Sequence, residues 1–500
     1  MCQRDFITSL LRGMTVLLLV MAAALPGYGQ IAINKEAVKP VSPDSADVEY
    51  FRHKNFWRPL AEVVGFNLAL NAFDRYVLKA PGEVVTWASI KKNFRGGFKW
   101  DSDMLGTNLF LHPYHGGLYF NAGRSNGYNF WQSELFAIGG SLMWEMFMEN
   151  EYPSTNDVIA TPIGGAVVGE ITFRASDAVL DDRTWGWQRA GREIAAFVIS
   201  PMRGLNRIFT GRAWKRSPTR GRVFGVPPIA LRVSLGPKAT IFESRQWEHS
   251  FGASLQIDLE YGHRFEPNTV PYDYFTFSAE LQAVKEQPLL THFAVKGRLL
   301  GLSMLQGKKS HVSVGLFQHF DFYDSDTIKT FDRVPYKMGI PASLGGGVFY
   351  RYQPDQSWRF DCYAHANAVF LAGILSDHYW TNKRDYNWAS GFSIKGGLNW
   401  VFMHNRMSFT ISHEFYRLFT WKGYAKGTDL SKVNYRTFNV MGDKSVASFN
   451  VTTARFDARI WKNIYGSLVF DNFMRSTNYR DFPHVKSSTQ SLRAMISYKF

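Results

Sequence analysis

Cysteine is nearly absent from this sequence: Cys2 and Cys362 are the two in 500 residues. Removal of the N-terminus would leave Cys362 alone, which excludes a disulfide framework. Beyond residue 30 there is no apolar run approaching the roughly 20 residues that a membrane-spanning helix needs. The strings that announce common enzymes are missing as well. There is no Gly-x-Ser-x-Gly elbow, no glycine-rich phosphate loop after a strand, and no standard metal spacing. Acid is in deficit, with 42 Asp and Glu against 57 Lys and Arg, giving a net charge of +15. Disorder is excluded by composition, 45% of residues being apolar and 20% charged.

Aromatic residues, by contrast, are abundant: 41 Phe, 23 Tyr and 15 Trp, or 16% of the chain. That density suits belts of rings at a membrane interface. The first residues have the layout of a secretory signal. Arg4 and Arg12 are basic, Met14 to Leu25 is unbroken apolar sequence, and Gly27-Tyr28-Gly29 offers small residues for cleavage. The expected signal peptide is 1–29, followed by a polar lead-in over 30–55. Cys2 precedes the apolar run, so it is not placed for lipidation. On an exported protein the positive charge fits anionic outer-membrane lipids and lipopolysaccharide, and no nucleic-acid partner is expected. A solvated lumen and loops account for the same charge and are preferred.

From about Ile229 to Phe500 the dominant period is two. Leu255, Ile257, Leu259 and Tyr261 alternate with Ser254, Gln256, Asp258 and Glu260; Met407, Phe409 and Ile411 alternate with Ser408, Thr410 and Ser412. Each such strand has one apolar and one polar face. The connections at Met403–Arg406 and Trp461–Asn463 are short, whereas those around Tyr323–Pro341 and Trp421–Lys444 are long and polar. Short turns on one side and long loops on the other are the layout of an outer-membrane barrel. The pattern predicts an all-β transmembrane barrel of about twelve antiparallel strands over 222–500. In the final segment Leu492, Ala494, Ile496, Tyr498 and Phe500 share a face. That terminal aromatic pattern resembles the signal read by the barrel assembly machinery, an expected partner during biogenesis.

The region before it, 56–215, reads as a helical domain, so the whole chain is α+β. Helices are expected over Phe56–Leu78, Tyr128–Glu149, Ser154–Leu180 and Trp187–Phe209, with Pro201 interrupting the last. Gly82–Gly123 reads as mixed structure. Glu134, Ser141, Glu145 and Glu149 fall on one helical stripe. Ser154 and Asp157 suggest an N-terminal capping box, and Gly165 and Gly169 a small face for close packing. A hairpin of Tyr128–Glu149 against Ser154–Leu180 would bring Glu145 or Glu149 near Glu170 or Asp177.

Two strings are long and specific. One runs His112-Pro113-Tyr114-His115-Gly116 and on through Tyr119-Phe120-Asn121-Ala122-Gly123-Arg124. The other contains Trp144-Glu145, Glu149, Pro153-Ser154, Asn156-Asp157, Thr161-Pro162, Gly164-Gly165 and Gly169-Glu170. Together, over roughly Trp57 to Thr210, they resemble an uncharacterised family of Gram-negative outer-membrane proteins known only as a domain of unknown function. The resemblance implies a location in the cell outer membrane and supplies no catalytic residues.

The chemistry-bearing candidates are His112, His115, Glu145, Glu149, Asp157 and Glu170. Of these, His112, His115, Glu145 and Glu170 form a ligand set that Zn²⁺ or Mn²⁺ could take. Pro113 between the histidines suggests a turn, in which the imidazoles would bond to backbone; that structural role is preferred, and no cofactor is expected beyond such a divalent ion. Asp101-x-Asp103 lacks the rest of a calcium loop. Ser141 with either histidine would make a hydrolase pair, but a serine inside a helix among small residues is usually packing. Two function classes fit. The preferred one is a non-enzymatic envelope, binding or transport protein, because no catalytic constellation is complete. The alternative is a membrane-embedded lipid-modifying hydrolase or transferase using the six polar residues.

Overall fold

In the second half of the chain, side chains that alternate along each strand sort into two environments. On β11 (Ile464–Tyr479), Leu468, Phe470 and Met474 are exposed while Ser467, Asp471 and Arg475 are buried. On β12 (Val485–Lys499), Leu492, Ile496 and Tyr498 face out, and Ser491, Arg493 and Ser497 face in. A soluble sheet does the reverse. Apolar-out and polar-in is the arrangement of a strand whose outer solvent is hydrocarbon.

The computed structural model describes residues 54–79, 84–101, 103–242, 248–267, 270–326, 334–379, 384–433 and 442–500. The expected signal peptide and nearly all of the lead-in lie outside them. Contacts divide the chain into two units, one carrying the helices up to Pro227 and one carrying the strands from Pro228.

The strand unit is a closed antiparallel barrel of twelve strands. They are β1 (Ile229–Phe242), β2 (Glu248–Tyr261), β3 (Phe275–Val284), β4 (Leu290–Gln306), β5 (Ser310–Asp324), β6 (Lys337–Tyr352), β7 (Arg359–Leu375), β8 (Tyr386–Phe402), β9 (Met407–Thr420), β10 (Ser445–Trp461), β11 and β12. Each strand pairs with its sequence neighbours, and β1 closes the ring on β12 with Arg232 opposite Lys499 and Phe242 opposite Thr489. Closure leaves no unpaired edge, as hydrocarbon requires. Turns 307–309, 403–406 and 462–463 lie at one end; 325–336, 376–385 and 421–444 lie at the other. The expected separation of short turns from long loops therefore holds, with 262–274 as a long connection on the short-turn side.

The helical unit has seven α-helices among the described residues: α1 (Trp57–Phe73, ending in a π-helical turn Asp74–Leu78), α2 (Trp87–Gly96), α3 (His112–Ser125), α4 (Phe130–Phe147), α5 (Asp157–Val179), α6 (Gly186–Ile199) and α7 (Pro201–Phe209). Side chains fix several starts. Thr86 Oγ1 accepts from Ser89 N–H at 3.1 Å and Ser89 Oγ from Thr86 N–H at 2.9 Å, a capping box for α2. Asn129 and Gln132 do the same for α4.

Three expectations fail here. Gly82–Gly123 is largely helical, and the His112–His115 segment is not a turn. Pro113 lies at the start of α3 directly behind the π-helical turn Thr107–Leu111, and the chain stays helical through it. The principal packing is also not α4 on α5. It is α3 on α5, backbone against backbone. A Cβ placed on Gly116 would lie 1.8 Å from the carbonyl oxygen of Thr161, and one on Gly165 would lie 2.6 Å from the carbonyl carbon of Gly116.

Alongside an apolar core that includes Leu109, Phe120, Val167 and Phe173, this unit buries ion pairs and exposes large aromatics. Glu170 takes Arg124 Nε and Arg174 Nε, each at 2.8 Å. Asp177 takes Arg203 at 2.6 Å and the N–H groups of Val223 and Phe224 at 3.0 Å. Meanwhile Trp57, Trp87, Trp131, Trp185, Trp187 and Trp214 are all exposed. One described helix, α5, is long and apolar enough to cross a membrane. It is 72% buried inside the protein over its apolar window and carries Glu170, Arg174 and Asp177, so it is a core helix.

Candidate functional site

The start of α5 lies against the start of α3 because the glycine contact one turn further on draws the two helices together. This places His112 Nε2 3.5 Å from Asp157 Oδ1. Asp101, just ahead of the π-helical turn Thr107–Leu111 that runs into α3, completes a trio. One ligand atom from each of Asp101, His112 and Asp157 lies within 4.8 Å of the others. Two asparagines hold the carboxylates. Asn108 Nδ2 donates to Asp101 Oδ1 at 3.0 Å, and Asn156 Nδ2 donates to Asp157 Oδ1 at 2.8 Å. Asn156 Nδ2 also reaches Asn108 Oδ1 at 3.1 Å, while its Oδ1 accepts from Asp101 N–H at 3.2 Å.

Burial dominates the electrostatics of the trio. It pushes Asp157 up to about 7 and Asp101 well above the usual carboxylate range, the nearby acids adding to the rise at Asp101. Burial lowers His112, against the pull of Asp101 and Asp103.

The other sequence candidates go elsewhere. His115 meets Tyr119 Oη at 2.7 Å, and Tyr119 in turn hydrogen-bonds Asn67. The His115 ring packs edge-on against Phe66 and Trp144, and burial lowers its pKa to about 3, so it is neutral at physiological pH. Glu145 accepts from Ser154 N–H at 2.7 Å. Glu149 accepts from Trp144 Nε1. Glu170 is held by its two arginines. The expected ligand set His112, His115, Glu145 and Glu170 therefore does not converge: Glu170 is neutralised by guanidinium and His115 is turned to Tyr119. The structure instead brings His112 to Asp157 and to Asp101, an acid just upstream of the histidines that was not in the expected ligand set.

The serine readings resolve along bland lines. Ser154 Oγ accepts from Asp157 N–H at 3.3 Å, as a cap does, and the returning half of the box is supplied by Glu145 instead of Asp157. Ser141 Oγ donates to the Asp157 carbonyl at 3.4 Å. Among the described residues neither His112 nor His115 is hydrogen-bonded to a serine, and Ser141 is turned to the Asp157 carbonyl instead of to either histidine.

The barrel interior is the second constellation. Going from the short-turn end, β5 lines it with Phe317, His319, Asp321 and Tyr323, all buried. They mark three layers. The lowest is aromatic, Phe317 packing with Tyr274 and Phe349. The middle is charged. Lys395 Nζ on β8 donates to Asp321 at 2.6 Å, and both side chains are wholly buried. Lys296 on β4 reaches Glu414 on β9 at 3.2 Å, and Tyr323 Oη donates to the same carboxylate at 2.9 Å.

A further set of charges links β1, β3, β10, β11 and β12. Arg232 bonds to Asp457 at 3.2 Å, Arg493 to Asp471 at 2.7 Å and Glu280 at 2.9 Å, and Lys238 to Glu280 at 2.8 Å. The upper layer is again apolar. Tyr323 on β5 lies 6.3 Å, ring to ring, from Phe473 on β11, and Tyr336 stacks on Phe473 at 4.7 Å. β11 and β5 are third and ninth in the ring of twelve, so this contact spans the lumen. The alternation of the sequence gave the inward faces, but not their partners across the ring, which depend on strand stagger.

Fold and site together define a membrane-spanning β-barrel with a separate helical domain whose polar residues point inward. Residues 97–202 match the family model described as a domain of unknown function (DUF3943), within the stretch where the two motif strings implied such a domain. No curated protein matches the chain. Among solved structures the chain is similar to the NanC porin, at 8% identity, covering 54% of this chain and 100% of that one with a TM-score of 0.28. It is also similar to the outer-membrane channel DcaP of Acinetobacter baumannii (9% identity, 55% and 97% covered, TM-score 0.21). A third is the KdgM porin (8% identity, 53% and 99% covered, TM-score 0.22). Likeness at this level says nothing of what binds or crosses.

Proposed function

We propose that this is an outer-membrane protein of the Gram-negative envelope whose barrel is a closed anchor and not an open pore, with the helical domain as its binding or scaffolding part. The supporting observation is the bridged lumen. A water-filled channel needs a continuous wet path, whereas Tyr323 on β5 meets Phe473 on the opposite strand β11, and Lys395, Asp321, Arg455, Asp457, Arg493 and Asp471 are all buried in ion pairs. Breaking such buried pairs to open a path costs several kcal/mol each.

The chain is read as a signal peptide over 1–29, a lead-in over 30–55, a helical domain over 56–215 and the barrel over 222–500. Lipids are its constant partners, lipopolysaccharide among them. The exposed tryptophans of the helical domain fit a lipid–water interface, where indole rings concentrate. The aromatic at Phe500 fits recognition by the barrel assembly machinery. The lipid-modifying enzyme is not favoured, because its six residues do not converge: His112 and Asp157 sit together, His115 is bonded to Tyr119, Glu145 to the Ser154 N–H, Glu149 to Trp144, and Glu170 to two arginines.

The test is electrical. The purified full-length protein, reconstituted in planar bilayers, is expected to show no steady conductance at neutral pH. A Lys395→Ala, Asp321→Ala double variant, which removes a buried ion pair between strands three apart in the ring, is expected to admit occasional brief openings. Stable, porin-like conductance from the wild type would overturn the closed-anchor reading.

A further inference from the structure

Several acids of the helical domain are held by arginine. Glu170 has Arg124 and Arg174; Asp177 has Arg203; Asp182 has Arg189 and Arg207. Asp101 and Asp157 stand apart. Among the described residues neither has an arginine or lysine within ion-pair distance, and the cationic candidate beside them is His112. Two carboxylates this close inside a protein require a counter-charge or a shared proton. Glu170, Asp177 and Asp182 meet that requirement with guanidinium, and Glu145 and Glu149 are held by N–H donors. At Asp101 and Asp157 the neighbouring group is an imidazole with its ligand atom turned to the carboxylates.

The spacing has the scale of a metal centre. Ligand atoms at about 2.0–2.2 Å from a tetrahedral ion lie roughly 3.4 Å from one another. His112 Nε2 and Asp157 Oδ1 are 3.5 Å apart, and Asp101 closes the triangle within 4.8 Å. The support around the ligands is also of the metal-site kind. Asn108 and Asn156 each hold one oxygen of a carboxylate and are bonded to each other. Such outer contacts aim ligands and sharpen affinity. The ligands sit on elements fixed by packing: α3 and α5 cannot slide, because their backbones touch at Gly116 and Gly165.

We infer that Asp101, His112 and Asp157 form a binding site for one divalent transition-metal ion, of which Zn²⁺ is the best match to a set of one imidazole and two carboxylates. Two carboxylates neutralise the ion, and the ion relieves their mutual repulsion. Three protein ligands leave a fourth position for water or an outside donor. The ion would tie the segment before α3 to the first turns of α3 and α5, so it would act as a pin for the domain. This inference is independent of whether the barrel conducts.

The experiment uses the full-length protein in detergent micelles, stripped with chelator and titrated with ZnCl₂ by calorimetry, with metal content read by mass spectrometry. One ion per chain is expected. Asp157→Asn and His112→Ala should each weaken binding at least tenfold, while the surface variant Asp181→Asn should leave it unchanged. Because a core variant can fail to fold, Co²⁺ added to the wild type gives a second reading: visible absorption bands of a four- or five-coordinate ion, abolished by Zn²⁺. A wild type that takes up no Zn²⁺ and gives no such Co²⁺ spectrum overturns the site, and a proton shared between Asp101 and Asp157 is then the counter-charge. Binding that survives all the ligand variants overturns it equally.

Discussion

Replacing Glu170 by Gln keeps the side chain's size and removes its charge. In the wild type the carboxylate is fully buried between Arg124 and Arg174, whose side chains are 9% and 2% exposed. Loss of one partner from a buried ion pair typically costs about 3–5 kcal/mol, because the remaining charge stays desolvated. Here a single carboxylate serves two guanidiniums. Arg124 keeps its bond to the Tyr128 carbonyl at 2.9 Å, and Arg174 keeps the face of Phe224, 3.7 Å from the ring centre. Both of those contacts are to uncharged groups, and a loss of about 3–5 kcal/mol is expected, roughly a hundred- to several thousand-fold in the folding equilibrium. That is a large share of the stability of an ordinary domain.

The assay is urea titration of the whole protein in micelles, with trypsin cleavage inside residues 97–202 as the readout of the helical domain and protease resistance of the strands as the internal control. A triple replacement, Glu170→Leu with Arg124→Met and Arg174→Met, removes all three charges and should recover most of the loss. A Glu170→Gln protein within about 1 kcal/mol of wild type, the ordinary worth of a neutral hydrogen bond, would refute the claim that the domain is organised on buried charge. A triple variant as weak as the single one would shift the cause to the lost hydrogen bonds.

Gly116→Ala would place a methyl 1.8 Å from the Thr161 oxygen and should cost about 3 kcal/mol or more in the same titration. Gly139→Ala on α4, where the new methyl meets nothing within 4 Å, should gain up to about 1 kcal/mol of helix propensity. Glu62 is pushed up to about 7 by burial, against the amides of Asn206 and Asn126. The native state therefore keeps a proton that the unfolded chain has lost, and stability falls as pH rises from about 4.5 to 7, by about 2–3 kcal/mol. Glu134, pushed up to about 8 by burial, contributes in the same direction. Glu62→Gln should flatten the slope measured between pH 5 and 8, and an unchanged slope would remove Glu62 as its source. Phe470→Arg, on the outward face of β11, should cost about 2–4 kcal/mol of barrel stability in lipid vesicles, whereas a neutral effect would mean that this face does not meet hydrocarbon.

The barrel was legible because its signal is local. A period of two repeats in every strand, and Met403–Arg406 or Lys462–Asn463 mark the turns. The helical domain was legible only in part, for a physical reason. Its polar residues point inward, so α3 reads as a string of glycine, histidine, tyrosine and asparagine without an apolar face, and Pro113 reads as a breaker when it is a first-turn residue. The glycine pairs at Gly116-Gly117 and at Gly165 and Gly169 were the available clue to the α3–α5 contact, but only the second pair was read as a packing face. Asp101 could not be joined to His112 and Asp157 from sequence, since that neighbourhood exists only once α3 and α5 are in contact. The same holds for Glu170, whose arginines lie four residues away in one case and 46 in the other.

The pairing of β1 with β12 also sets an order of events. β1 finds β2 a few residues later, but its other partner is more than 200 residues away along the chain, with Arg232 opposite Lys499. Until that partner arrives, any partial sheet carries two open edges of unpaired amides and carbonyls, which lipid rejects and which other chains can capture. The ring is therefore all-or-none in a membrane. A chain cut before β12 has no partly inserted refuge, and completeness of the sheet becomes the condition for leaving the aqueous side.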